Sequence, residues 1–248
     1  MTIKFLEWDS IFFVKKIAAA YITISDNEED IISQIKSYPD YELVYIHTPQ
    51  EYVFSKEIVS RENLLLMDSK VIYAKEISNI DGIKEIDRHI SVYSKKEIHP
   101  SLLSLALLSG ECSRYKLDEN FAKQNAFERL YEKWIENSIN GSFADVTYVY
   151  EESGSMEGMV TVSIDRDNGV SKIGLISVNK KTQNKGIGTK LMDAVINYSI
   201  QNSVTRLEVA TQLRNTQACA FYDKRHLSVK SITNIYHYWI KKGNNLYN

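Results

Sequence analysis

The segment from Lys172 to Arg225 constrains the fold more than any other part of the chain. Its pattern predicts a strand, a turn with two glycines, an amphipathic helix, a second strand, a polar turn and a second helix. The turn places Gly186 and Gly188 directly before the first helix, where several backbone N–H groups have no partner. These groups and the helix dipole favour an anion, and the glycines let it approach the backbone closely. The segment therefore predicts an anion-binding turn between a strand and a helix.

The N-terminal part of the chain is predicted to form a small α/β domain over residues 1–85, without a catalytic signature. The expected elements are strands over 17–24, 41–46, 64–67 and 71–74, and a helix over 27–37. A boundary is expected near Asn79–Gly82. We expect this domain to serve as a scaffold and to supply one wall of a cleft.

The second predicted domain covers residues 86–248. A strand over 86–94 is followed by a leucine-rich helix over 99–109, a polar segment over 111–118 and a helix with an apolar face around 127–135. Further strands are expected at 146–150, 158–164, 172–178 and 207–210, with helices after the glycine turn and at 215–224. Two last strands are expected at 227–232 and 235–240. The predicted order is β-α-α-β-β-β-α-β-α-β-β.

Charge and cysteine usage exclude several classes of protein. The formal net charge is −2 and the sequence pI is about 6.2, so no basic surface for nucleic acid is expected. No apolar run approaches the length of a membrane-spanning helix, and the charged N-terminus does not fit a signal peptide. Cys112 and Cys219 lack metal-ligand spacing and are interpreted as reduced thiols. We therefore expect a cytoplasmic protein without a metal site or a membrane partner.

The order of elements and the glycine turn resemble the GNAT superfamily of N-acetyltransferases. The matching motif is Gln183-x-x-Gly186-x-Gly188, and Asn215 with the pair Phe221-Tyr222 follows on the next helix. The resemblance implies an α+β GNAT fold, which has a mixed, mostly antiparallel central sheet flanked by helices. It also implies acetyl-CoA as co-substrate.

A second resemblance covers nearly the whole chain and is to the dTDP-fucosamine acetyltransferases. The fragments that carry it include LEWDSIFF, FERLYEKWIENSING, GLISVNKKTQNKGIG and EVATQLRNTQACAFY. These enzymes pair a small N-terminal α/β domain with a GNAT domain. Val14 stands where they tend to have glycine, and Arg225-His226-Leu227 replaces their common x-Gly-Phe. Both differences fall outside the acetyl-CoA motif.

The resemblance also implies which residues bind the co-substrate. The strand before the motif separates from its neighbour, so the backbone of Ile176, Ser177 and Val178 is expected to bond the pantetheine arm. The pyrophosphate is expected among Gln183, Asn184, Lys185, Gly186, Ile187, Gly188 and Thr189. Lys180, Lys181 and Lys185 are expected to add positive charge near the phosphates, and each is equally well interpreted as a solvated surface charge.

The resemblance assigns roles on the helix that follows the second strand. It places Tyr222 as the general acid that protonates the leaving thiolate, with a packed aromatic as the alternative. Asn215 is expected to bond the pantetheine arm, to cap its helix, or both.

On the acceptor side, Ser113, Arg114 and Tyr115 are the candidates, since Arg114 could pair bidentately with a nucleotide pyrophosphate. Without the resemblance, an arginine in a loop between two helices is an equally good interpretation of Arg114. The general base is left open among Glu208, Asp118 and a water chain, and His237 is interpreted as structural.

The predicted function is transfer of acetyl from acetyl-CoA to the amine of a dTDP-linked amino sugar by direct attack, for surface polysaccharide or lipopolysaccharide biosynthesis. The alternatives are another amine acceptor, such as a peptide N-terminus, a polyamine or an antibiotic, and a non-catalytic module that binds acyl-CoA. A homodimer is left open.

Overall fold

The computed structural model of the chain describes residues 1–78 and 82–240. Contacts divide the chain into a first unit, Met1–Val71 with Ser231–Asn248, and a second unit, Ile72–Lys230. This division differs from the predicted one, because the second unit already begins at Ile72 and the chain from Ser231 returns to the first. Of the boundary predicted near Asn79–Gly82, residues 79–81 lie outside the described residues. The functional domains 1–85 and 86–248 stay a prediction.

The first unit is a sheet covered by helices. Its elements are β1 (Thr2–Phe5), α1 (Glu7–Phe13), β2 (Ile17–Tyr21), α2 (Glu28–Lys36), β3 (Leu43–Pro49), α3 (Lys56–Glu62), the first residues of β4 (Leu65–Glu76) and most of β10 (Ser228–Trp239). The strand order is β1-β2-β3-β10, with β2 and β3 parallel and the outer pairs antiparallel. The Asn27 side chain caps α2, and the three isoleucines of this helix lie in the core of the unit.

Two pairs of strands that were predicted as separate are each one continuous strand. The predicted breaks are wrong because polar residues at these positions have hydrogen-bond partners. The strands expected at 64–67 and 71–74 form the single strand β4, and those at 227–232 and 235–240 form the single strand β10. Ser69 donates a hydrogen bond of 2.7 Å to the Asn234 side chain, which in turn donates to the Gln50 carbonyl. These bonds let residue types that usually mark turns lie within continuous strands. β1, α1 and α3 were not predicted.

The second unit contains the glycine turn and the elements around it. They are β5 (Ile90–Val92), α4 (Pro100–Ser109), α5 (Arg114–Leu117), α6 (Glu119–Ala122), α7 (Ala126–Ile139), β6 (Val146–Glu152), β7 (Ser155–Asp165), β8 (Val170–Val178), α8 (Ile187–Gln201), β9 (Arg206–Gln212) and α9 (Thr216–Lys224). Its strand order is β4-β9-β8-β7-β6-β5, antiparallel from β5 to β8 and parallel between β8 and β9. The segment predicted as polar, 111–118, contains the short helix α5, and the short helix α6 follows it; each is capped by a side chain.

Gly110 is the C-cap of α4, and packing explains why this residue is a glycine. Its φ is −97°, so it does not adopt the left-handed conformation. A Cβ at this position would overlap the Tyr131 ring of α7. The glycine therefore allows α7 to pack closely against the end of α4. No helix among the residues described has the length and apolarity to cross a bilayer.

Candidate active site

The strands β8 and β9 separate at the point where the sequence predicts a cofactor strand. Their parallel pairing runs from Val170 opposite Arg206 to Ile173 opposite Val209. Beyond Ile173, β8 continues for five more residues to Val178 and stays paired with β7. The last stretch of β8, Ile176–Val178, lines a cleft. Along its β9 side, backbone groups of this stretch are thus accessible to a ligand in the cleft.

The turn before α8 has the geometry of an anion site. Gly186 is the N-cap of this 15-residue helix, with φ at +82°, and it provides no side chain to bond the first N–H groups. Asn184 also has a left-handed φ, +63°, which its residue type tolerates. A Cβ added at Gly186 would meet no atom within 4 Å, so the space beside this backbone is open. The N-terminal N–H groups of α8 can therefore receive an anionic group.

The Gln183 side chain connects the turn to both of its neighbours. Its amide donates to the Val178 carbonyl at the end of β8, at 3.2 Å. Its oxygen accepts a bond of 2.9 Å from Gln217 on α9. A glutamine at this position therefore fixes the turn between the strand that precedes it and the helix across the cleft.

One cleft in the second unit, with a volume of about 780 Å³, brings most of the predicted site together. This volume is within the range of small-molecule sites. The predicted residues that line the cleft are Ile176, Ser177, Val178, Gln183, Asn184, Gly186, Ile187, Gly188, Thr189, Asn215 and Tyr222. Lys185, Ser113, Arg114 and Tyr115 are not among its lining residues.

Tyr222 lies on α9 with only 3% of its surface exposed, and it lines the cleft. Its ring is 5.4 Å from that of Tyr73 and 5.5 Å from that of Phe221. Burial, together with the nearby Cys219 and Tyr73, raises the pKa of Tyr222 well above its usual value, so the phenol stays protonated at neutral pH. The side chain is thus packed and keeps its proton, and its role as general acid stays a prediction. Asn215 likewise caps α9 through Ala218 N and lines the cleft.

A wall of the cleft that sequence reasoning missed comes from the end of α4 and the residues that follow it. Its members are Leu108, Ser109, Glu111 and Cys112. The Ser177 hydroxyl donates to the Leu105 carbonyl at 2.7 Å, and Lys180 pairs with Glu111 at 2.7 Å. The leucine-rich sequence of α4 indicated burial but carried no motif, so its place beside β8 could not be inferred.

Residues 111–227, which include the glycine turn and Tyr222, match the acetyltransferase (GNAT) family. They form a GNAT acetyltransferase domain. The chain is therefore an N-acetyltransferase, as predicted, and the predicted α+β GNAT fold is confirmed. Enzymes of this family use acetyl-CoA.

One curated protein and two solved structures are similar to the chain over most of their own length. A dTDP-fucosamine acetyltransferase of Escherichia coli O6:H1 is 27% identical over 176 residues, which are 71% of this chain and 70% of the relative. A conserved protein of unknown function from Staphylococcus epidermidis is 11% identical, with a TM-score of 0.57 over 92% of this chain and 85% of that one. A GCN5-related N-acetyltransferase from Kribbella flavida is 9% identical, with a TM-score of 0.51 over 91% and 82%. The two structures support the fold alone.

The predicted acceptor residues of the acetyltransferase domain lie together, around α5. Ser113 is the N-cap of this helix and accepts from Tyr115 N, at 3.3 Å. The Arg114 guanidinium lies 4.5 Å from the centre of the Tyr115 ring and donates to its hydroxyl at 2.7 Å. The three residues thus contact one another, and their role toward an acceptor stays a prediction.

The general base stays unassigned. Burial by itself would raise the pKa of the Glu208 carboxyl, but hydrogen bonds from Lys230 and Arg206 outweigh it and lower the pKa. Asp118 is buried and accepts from Asn120 N at 2.9 Å, as an N-cap does. His237 is fully buried against the Tyr45 ring, at 4.9 Å, in keeping with its structural interpretation. None of these side chains is a lining residue of the described cleft.

Proposed function

We propose that the enzyme transfers acetyl from acetyl-CoA to the amine of a dTDP-linked amino sugar. The observation that carries the first part is the cleft in which the end of β8, the start of α8 and Tyr222 meet. The similarity to a dTDP-fucosamine acetyltransferase over 71% of the chain supports the second part. Residues 86–248 serve as the catalytic domain and residues 1–85 as a scaffold in this proposal.

The cleft fits acetyl-CoA by chemistry and by shape. The free N–H groups at the start of α8 receive the pyrophosphate, and the open space beside Gly186 lets it reach them. Lys185 lies in the turn and adds positive charge near the phosphates, and Lys180, which is paired with Glu111, lines the same cleft. The backbone of Ile176–Val178 bonds the pantetheine arm, and Asn215 bonds it from the start of α9.

Within this cleft the reaction is a direct attack. A backbone N–H of the last stretch of β8 polarises the thioester carbonyl. The amine nitrogen bonds to the carbonyl carbon, the carbon–sulfur bond breaks, and its electron pair leaves on sulfur. Tyr222 donates its proton to that sulfur and is reprotonated from water. The amine loses its own proton to water, and no protein side chain becomes acylated.

The acceptor is assigned to the residues around α5. Arg114 pairs with the nucleotide pyrophosphate, with Ser113 and Tyr115 fixing its position. The acetylated sugar then serves surface polysaccharide or lipopolysaccharide synthesis. Use of acetyl-CoA and of a nucleotide sugar supports a cytoplasmic location.

An acceptor panel tests the proposal. CoA release from acetyl-CoA is measured with dTDP-amino sugars, peptide N-termini, polyamines and aminoglycosides at equal concentrations. We expect kcat/KM for a dTDP-amino sugar to exceed that for every other class by about 100-fold or more. A higher value for another class would contradict the nucleotide-sugar assignment. Binding of CoA without release of thiol on any amine would instead show a non-catalytic module.

The Arg114→Ala variant tests the acceptor residues separately. We expect a rise of about tenfold or more in the KM of the nucleotide sugar, with the KM of acetyl-CoA unchanged, since a bidentate charged contact is removed. Lys123→Ala is the matched control, because this exposed cation lies shortly after the same segment. An unchanged acceptor KM in Arg114→Ala would contradict the pyrophosphate contact.

A further inference from the structure

The strand β8 contains an extra residue directly before its cleft-lining stretch. The pairing with β7 runs from Gly158 opposite Val178 to Val160 opposite Ile176, and then resumes at Val162 opposite Ile173. Only Thr161 lies between the paired β7 residues, whereas Gly174 and Leu175 lie between those of β8. Two residues facing one form a β-bulge, which bends a strand and increases its twist.

The Thr161 side chain occupies this bulge. Its hydroxyl oxygen accepts a bond of 2.8 Å from Leu175 N, and only 1% of the residue is exposed. A Cβ at Gly174 would lie 2.9 Å from the same oxygen. The glycine thus makes room for the hydroxyl, and the hydroxyl takes the place of a strand partner for a buried N–H group.

The bulge coincides with the place where β8 leaves β9. The last pair of these strands is Ile173 with Val209, and Gly174 is the next residue of β8. After Leu175 come the residues that line the cleft. The direction of the cleft-lining backbone of β8 is therefore set at the bulge, where the Thr161 hydroxyl bonds to the backbone.

We propose that Thr161 is a positioning residue for acetyl transfer, because its hydroxyl holds Leu175 N and so aims the backbone of Ile176–Val178 at the thioester. This inference rests on the proposed acetyl transfer in the cleft and does not depend on which amine is the acceptor. Thr161 does not touch the substrate and acts through β8. Its loss should therefore reduce the rate of the bound complex more than the affinity for acetyl-CoA, which the turn before α8 provides.

The test compares Thr161→Val, which removes the hydroxyl but keeps the shape, with Thr161→Ser, which keeps the hydroxyl. Thr147→Val is the matched control. Thr147 is paired directly opposite Thr161 on β6 and is buried, and its hydroxyl has no hydrogen-bond partner among the described residues. All variants are assayed for CoA release with an amine that the wild type acetylates. Exchange of the Leu175 amide hydrogen is followed by NMR.

We expect Thr161→Val to lower kcat by about tenfold or more, with the KM for acetyl-CoA changed by less than about threefold. The Leu175 amide should exchange about tenfold faster in this variant. Thr161→Ser should restore both properties, and Thr147→Val should leave both at wild-type values. Wild-type kcat or wild-type exchange in Thr161→Val would overturn the inference, as would an equal loss in Thr147→Val. If the wild type acetylates no amine, the proposed function has failed, while unchanged exchange of Leu175 would still overturn the inference by itself.

Discussion

Two left-handed turns of the second unit differ in the residue that occupies them. Gly186, with φ at +82°, begins α8 beside the cleft. His226, with φ at +59°, follows α9, where its N–H donates to Asp223 O at 3.0 Å and Leu227 N donates to Tyr222 O at 3.1 Å. The first turn leaves N–H groups free for a ligand, whereas the second closes a helix end. A left-handed φ therefore does not by itself require glycine, and we predict that close approach of a ligand does.

The largest effect is expected at Tyr222. This residue lines the cleft, and its backbone carbonyl accepts a hydrogen bond within the second turn. We expect Tyr222→Phe to lower kcat about 100-fold with little change in the KM of acetyl-CoA, since the proton donor for the thiolate is lost. Because burial raises the pKa of Tyr222, the group should cause no loss of wild-type kcat as the pH rises from 6 to 9. Initial rates of CoA release over that pH range provide the measurement.

Tyr73→Phe is the matched control, since it removes the same atom from the neighbouring ring, which does not line the described cleft. Its kcat should stay close to that of the wild type. If Tyr222→Phe keeps full kcat, the general-acid role is wrong. Tyr222, whose carbonyl is bonded in the second turn, would then be only a packed aromatic residue.

The second-largest effect is expected at the first turn. We expect Gly186→Ala to raise the KM of acetyl-CoA about tenfold, because the added Cβ takes space that the ligand uses. In the free protein this Cβ meets no atom within 4 Å, so only the left-handed strain of about 1 kcal/mol remains. The KM and the free energy of unfolding in urea are measured for the same variant.

Gly154→Ala separates strain from ligand contact. Gly154 has φ at +79° and equally open surroundings, but it lies in the hairpin between β6 and β7 and not in the cleft. This control should lose the same stability and keep the wild-type KM. A similar rise of KM in both variants would show that backbone strain, and not ligand approach, explains the glycine at position 186.

The sequence predicted the first turn but not the second. Gly186 and Gly188 follow a motif, so the resemblance led to the cleft residues around them, including Tyr222. Histidine tolerates a left-handed φ but does not predict one, so the glycine of the resembling enzymes was the clearer indication of this conformation at position 226. Thr161 could not be found either, because its contact to Leu175 depends on a register shift between strands. Likewise, the breaks predicted in β4 and β10 are wrong because the bond between Ser69 and Asn234 crosses the sheet and is not a local property.

Val14 in the first unit allows the strain of a left-handed turn to be measured away from the cleft. It ends α1 with φ at +54°, and 82% of it is exposed. A β-branched side chain is poorly suited to this conformation. We expect Val14→Gly to raise the free energy of unfolding by about 1 kcal/mol, after allowance for the greater flexibility of glycine in the unfolded chain. Urea denaturation monitored by circular dichroism measures this change.

Val14→Ala serves as the control, because alanine keeps a Cβ and therefore most of the strain. Its gain in stability should be clearly smaller than that of Val14→Gly. Equal gains would show that the loss of stability at Val14 comes from β-branching and not from the left-handed backbone. Neither variant should alter kcat or the KM of acetyl-CoA.

The smallest effect is expected for His226→Gly. Histidine is tolerated in the left-handed region better than valine, and the entropy of glycine in the unfolded chain offsets most of the relief. We therefore expect a gain in stability below about 0.5 kcal/mol, with kcat unchanged, because the bond from Leu227 N to Tyr222 O needs only backbone atoms. Urea denaturation and initial rates of CoA release measure the two quantities. A change of kcat beyond about twofold at unchanged stability would show that the His226 side chain acts on the cleft through α9. The two turns would then differ less than their residue types suggest, since the residues of both turns would affect the rate of the reaction in the cleft.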